Sequence, residues 1–132
     1  MIDAAIYKAQ MHDMRWGVDD CCCFVAAIVK AHGGPDLLAP FAPWDSEEGA
    51  TQSLASYGGG GLLEAAMKRA AELALERVAG PRPGTIGLVT NDAGHMLALG
   101  LDHKWLVRTK SGVAYARPGQ TILAWNVPCL PR

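Results

Sequence analysis

Charge is scarce in this 132-residue chain. Only 19% of residues are Asp, Glu, Lys or Arg, and 12 basic against 13 acidic side chains leave a net charge of −1. There is no basic run and no arginine-rich helix, so binding of nucleic acid by phosphate neutralisation has no support. The opening stretch MIDAAIYKAQMHDMRW carries charges throughout, which argues against a signal peptide or a membrane span there. Without an export signal, the four cysteines are expected to be made in a reducing cytoplasm. Spaced cysteine pairs are also missing: Cys21, Cys22 and Cys23 are contiguous. Neighbouring cysteines bridge only with strain. On one helical turn they diverge by about 100° each, unlike the C-x₂₋₄-C pairs that hold zinc. No metal site and no cofactor are therefore expected. Apolar residues are what the chain has in plenty, at 50%. That suffices for one core, with residues 1–132 as a single domain, and suggests surface buried against a partner. Repeats and low-complexity tails are lacking.

The spacing predicts helices over residues 2–12, 21–31, 46–56 and 62–77. Asp20 is a good N-cap for the second, and Gly33-Gly34 followed by Pro35 stops it. Glu47 and Glu48 suit the first turn of the third, where the helix dipole favours them. After AGPRPG the chain changes character. TIGLVT, HMLALGL, KWLVRT, VAYA and TILAWNV are separated by NDAG, DH, KSG and RPGQ, which is strand-and-turn spacing. The layout is α+β, with helices first and a small antiparallel sheet after them.

A helical wheel places Phe24, Val25 and Ile28 within about 60° of Cys21, which predicts that Cys21 meets the core, with Cys22 at the edge of that face and Cys23 turned away. Cys21 also follows the cap directly, where free backbone N–H groups and the positive end of the dipole stabilise a thiolate. Two readings stay open on this basis, a nucleophile and a small core hydrophobe. Cys22, Cys23 and Cys129 are read as structural.

WG…DDCCCFV resembles the signature of the NlpC/P60 cysteine hydrolases, in which an aromatic-Gly pair precedes Asp-Cys-Ser-Gly-Phe-Val at a helix start. Trp16-Gly17, Asp20, Cys21 and Phe24-Val25 fill those places, while Cys22-Cys23 replaces Ser-Gly. RPGTIGLV, LALGL and LAWNV make the chain similar to a phage-associated short group of that superfamily. The resemblance implies a papain-like fold, with the cysteine helix packed on a small curved sheet that carries a histidine. It implies a cysteine peptidase acting on stem peptides of peptidoglycan, without a cofactor. It also implies synthesis in the bacterial cytoplasm and a place in the virion tail tip, beside the hub and central fibre proteins. Within it, Cys21 is the nucleophile and His95, opening HMLALGL, is the base. The third member falls in LVRTK, where Thr109 is the acceptor taken and Arg108 would disfavour an imidazolium close by. Asn91 and Asp92, in the preceding turn, are alternatives. Asp20 and Cys22 would touch substrate, and Trp16 would wall the cleft. A second alignment, of LALGL, would put Ala98 where the base belongs. His95 and Ala98 face opposite sides of a strand, so only one alignment holds. The rival functional reading is a structural tail-tip or tail-assembly protein whose site has decayed on the same fold.

Overall fold

A computed structural model of the chain describes residues 2–92 and 94–132. Four helices come first among the described residues: α1 (Ile2–Ala9), α2 (Cys21–Ala31), α3 (Glu47–Gly58) and α4 (Leu62–Glu72). Five strands follow: β1 (Thr85–Asn91), β2 (Gly94–Leu101), β3 (Lys104–Arg108), β4 (Val113–Ala116) and β5 (Thr121–Asn126). The strands form one antiparallel sheet in the order β4-β3-β2-β1-β5. The architecture is therefore α+β, as the patterning predicts. Of the turn read over Asn91 to Gly94, Ala93 lies outside the described residues.

Local chemistry explains the helix ends. The Asp20 carboxylate accepts the Cys23 N–H at 3.1 Å and starts α2. His32 caps its far end, and Gly33 follows at φ +83, a conformation glycine adopts without strain. Ser46 accepts the Gly49 N–H at 3.0 Å at the head of α3.

Two helices stop earlier than their composition predicts, both because the sheet claims the chain. The reading to residue 77 fails at Glu72, after which Ala74 turns to φ +53. Residues 76–78 then run along β5: Asn126 N–H donates to the Glu76 carbonyl at 2.8 Å, and Val78 N–H to the Ala124 carbonyl at 3.0 Å. The reading to residue 12 fails at Ala9 because the following segment is drawn to β3 and its hairpin. Arg108 Nη2 donates to the His12 carbonyl at 3.0 Å, and Met14 N–H to the Lys110 carbonyl at 2.7 Å.

The two faces of the sheet bury different clusters. One presents Ile86, Leu97, Leu99, Leu106 and Trp125 to the core that contains Phe24, Val25, Ile28 and Val29 of α2. Val25 and Val29 are 0% exposed, and full burial of such a side chain favours folding by about 1.5–3 kcal/mol. The other face holds Val89, Ala98, Trp105, Val107 and Ala124. There the sheet curls so far that the Trp105 indole of β3 crosses β2 and β1 to donate to Thr121 Oγ1 of β5 at 2.7 Å. Gly87 makes room for it: a Cβ at that position would lie 2.4 Å from the indole ring.

Candidate active site

The tip of α2 is held from three directions by one carboxylate. Asp20 is 1% exposed. Its Oδ2 accepts the Gly17 N–H at 2.7 Å and the Trp44 indole N–H at 2.8 Å, while Oδ1 caps the helix through Cys23. The Cys23 thiol also leans on Oδ2, at 3.5 Å. Gly17 sits at φ +79, and a Cβ on it would come 1.8 Å from the Trp44 carbonyl oxygen, so this corner accepts only glycine. The resemblance assigns Asp20 to substrate binding. In the structure the buried carboxylate accepts from the protein through both oxygens and fixes the helix tip.

A second anchor lies beside it. Arg108, at the end of β3, is 0% exposed. It donates to the Asp19 carboxylate at 3.2 Å, to the Gly112 carbonyl at 2.8 Å and to the His12 carbonyl, while its Nε has no partner among the described residues. Burial pushes the Asp19 carboxyl up, but the Arg15 N–H, the Arg108 guanidinium and the nearby His12 together hold it below its ordinary 3.8. Arg108 thereby ties the loop leading into α2 to the β3–β4 hairpin. Neither the Arg108–Asp19 pair nor the Trp44–Asp20 bond was legible in the sequence. The first spans 89 residues and the second 24, and no local pattern marks them.

Above these anchors opens a cleft of about 490 Å³, within the range of small-molecule and peptide sites. It brings together all six residues that the sequence nominates: Trp16, Asp20, Cys21, Cys22, His95 and Thr109. Its opposite wall is the start of α3, with Glu47, Ala50 and Thr51. Trp16 is half-buried and borders the cleft. Thr109 is half-buried just past β3, its N–H donating to the Gly112 carbonyl at 2.9 Å.

The wheel is corrected in one respect. Cys21 packs against the core as the wheel predicts, half-buried at the cleft, but Cys22, placed at the edge of that face, is the more enclosed of the two, at 7% exposure. The wheel assumes one covered face, whereas Cys22, Phe24, Val25, Ala26, Ile28 and Val29 are all buried, so α2 is enclosed around much of its girth. Cys21 escapes enclosure because it is the first residue of the helix.

The three thiols differ in acidity. The Cys22 thiol, 4.0 Å away, is the largest influence on Cys21 and lowers it. Burial opposes this, the Leu97 and Cys22 backbone N–H groups assist, and the Asp20 charge opposes, leaving Cys21 below the ordinary thiol value of 9.0. Cys22 is raised well above that value by Cys21 and by burial. Cys23 is pushed up to about 12 by burial and by the Asp20 carboxylate. The Leu97 contribution has a topological origin. The β2–β3 ladder runs from Leu101↔Lys104 to Leu99↔Leu106 and goes no further. The strands part at Leu97, beneath the helix tip.

His95 is the second residue of β2, opposite Thr90, and is exposed. It shares a strand face with Leu97 and Leu99, the face that meets α2, and lies roughly 7 Å beyond Leu97 toward the hairpin tip. Ala98 is 0% exposed on the other face, with Trp105 and Ala124. Of the two alignments, only the one through His95 leads to the cleft. No hydrogen bond joins His95 to Cys21 among the described residues. Also among the described residues, no group of three or more His, Cys, Asp or Glu is arranged to hold a metal, and no helix is long and apolar enough to cross a membrane.

Comparison with curated proteins and with solved structures finds no significant match. A family described as "Domain of unknown function (DUF6950)" matches residues 1–127, nearly the whole length. The chain belongs to that family.

Proposed function

We propose that the cleft is a cysteine-peptidase site of NlpC/P60 type on a papain-like fold, cleaving a peptide bond in peptidoglycan stems, in a phage tail-tip protein that sits beside the hub and central fibre. The observation that carries the reading is Cys21 itself. It heads α2, is the most acidic of the three contiguous thiols, and faces the cleft that His95 also lines.

In the reaction, the His95 ring swings from its exposed position onto the sulfur and takes the thiol proton. The thiolate attacks the scissile carbonyl, and a C–S bond forms. The Cys21 N–H is the one left at the helix tip for the oxyanion, since Cys23 N–H is bound to Asp20 and Cys22 N–H serves the Cys21 sulfur. The C–N bond then breaks, and the imidazolium returns its proton to the leaving amine. Water cleaves the thioester and restores the thiol. Thr109 is the acceptor offered to the far ring nitrogen, and Trp16 walls the substrate.

A specific observation favours a second reading, a structural tail component with a silent site. His95 is exposed and, among the described residues, makes no hydrogen bond to Cys21. The test is digestion of purified stem peptides, read by mass spectrometry. The peptidase reading expects cleavage that Cys21→Ala abolishes and that His95→Ala slows about 100-fold or more. Cleavage that survives Cys21→Ala overturns it, and so does an inert parent protein, which leaves the structural reading.

A further inference from the structure

Cys22 is the thiol the mechanism above does not use. It is 7% exposed and sits between the cleft and an apolar cavity lined by Leu37, Phe41, Leu62, Ile86 and Leu97. Its sulfur lies 4.0 Å from that of Cys21, and among the described residues it has no other hydrogen-bond partner. Cys23 provides the contrast, because its thiol is directed to the Asp20 carboxylate.

We propose that Cys22 is a positioning residue that donates its S–H to the Cys21 sulfur and makes Cys21 the ionised member of the pair. This deepens the peptidase reading, in which Cys21 is the nucleophile, but concerns ionisation rather than turnover. A thiol is a weak donor, and a thiolate is the strongest acceptor within its reach. Two thiolates 4.0 Å apart repel each other, so the pair takes up a single negative charge well before a second can form. The charge settles on the sulfur that borders the cleft at the helix tip, and the proton stays on the sulfur enclosed by apolar side chains. The directions of the two acidities agree with this assignment. The other titratable groups around the pair are Asp20 and Cys23 on the same turn, His95 from β2, Arg108 and Lys110 from β3 and its hairpin, Glu47 from α3, and Arg69 from α4 across the apolar cavity. Among the described residues, none of these is hydrogen-bonded to either of the two sulfurs.

The test is the pH dependence of iodoacetamide alkylation at Cys21, located by tandem mass spectrometry, in the parent chain and in Cys22→Ala, Cys22→Ser and Cys23→Ala. Cys22→Ala is expected to move the midpoint up by about one pH unit; the roughly tenfold fall in thiolate below it is partly offset by the greater nucleophilicity of the more basic sulfur, leaving a reaction about 3-fold slower. Cys22→Ser keeps a donor at the same place and is expected to restore the parent midpoint to within about 0.3 unit. Cys23→Ala is expected to move it down or leave it, because no donor to Cys21 is lost. An unmoved midpoint in Cys22→Ala overturns the proposal, as does a Cys22→Ser shift as large as that of Cys22→Ala. These readings hold whether or not stem peptides are cleaved, so the two proposals fail separately.

Discussion

Selective alkylation of Cys21 is the most direct consequence of the geometry at the head of α2. Cys21 and Cys23 are both half-buried, so access alone does not separate them. Their acidities do. At pH 7 a thiol at about 12, where Cys23 stands, is ionised to about one part in 10⁵. A thiol below 9.0, where Cys21 stands, is ionised to at least about one part in 10². The thiolate populations therefore differ by at least about 10³. The more basic thiolate is intrinsically the better nucleophile, with a Brønsted slope of about 0.4–0.5, which returns a factor of roughly 20–30 over three units. The net preference for Cys21 is at least about 30-fold. Cys22, more deeply buried and also raised, is expected to react no faster than Cys23. The assay is brief exposure to limiting iodoacetamide, followed by digestion and fragmentation of the peptide that carries all three cysteines. Equal labelling of Cys21 and Cys23, or faster labelling of Cys23, refutes the assignment of the charge to Cys21.

The remaining predictions concern what holds the site. Asp20→Ala removes the α2 cap and leaves the Trp44 indole N–H and the Gly17 N–H without their acceptor. A loss of about 2–4 kcal/mol in urea unfolding is expected, and a loss under 0.5 kcal/mol contradicts the anchoring role. Gly87→Ala drives a methyl into the Trp105 ring and is expected to cost about 1–3 kcal/mol. Combined with Trp105→Leu, its cost is expected to shrink by at least about 1 kcal/mol, and strict additivity in that double-mutant cycle excludes the contact as the cause. Asp19 has a folded-state acidity depressed by Arg108 and the Arg15 N–H, so its contribution is present above pH 3.8 and is lost as the pH falls through its lower folded value. Asp19→Asn is expected to lower stability at pH 7 and to flatten the acid side of the stability profile. An acid limb as steep as the parent's assigns that dependence to other carboxylates.

The parts of the fold that follow local chemistry were legible in the residues. Asp20 before Cys21 and Gly33-Gly34 after Ala31 bound α2 because a carboxylate suits a helix start and glycine suits a helix end. The five strands stand where alternation and turn residues put them, and the 3.6-residue and two-residue periods separate the two halves of the chain. The early ends of α1 and α4 were not legible, since helix propensity carries no information about a strand edge or an arginine waiting elsewhere.

The candidate site divides in the same way. That Cys21 heads a helix with a capping Asp20 is a property of a few neighbouring residues, set by backbone N–H groups that any sequence of this pattern leaves free. Which thiol faces the cleft, which is enclosed, and where the strands part to offer Leu97 N–H depend on how many sides of α2 are covered. The roles of Asp20 and Arg108 depend on Trp44, Asp19, His12 and Gly112, brought to them from distant parts of the chain. Local order is written in residues within one turn of each other. The acidity of a sulfur and the work of a buried charge are sums over neighbours in space, and only the folded packing brings those neighbours together.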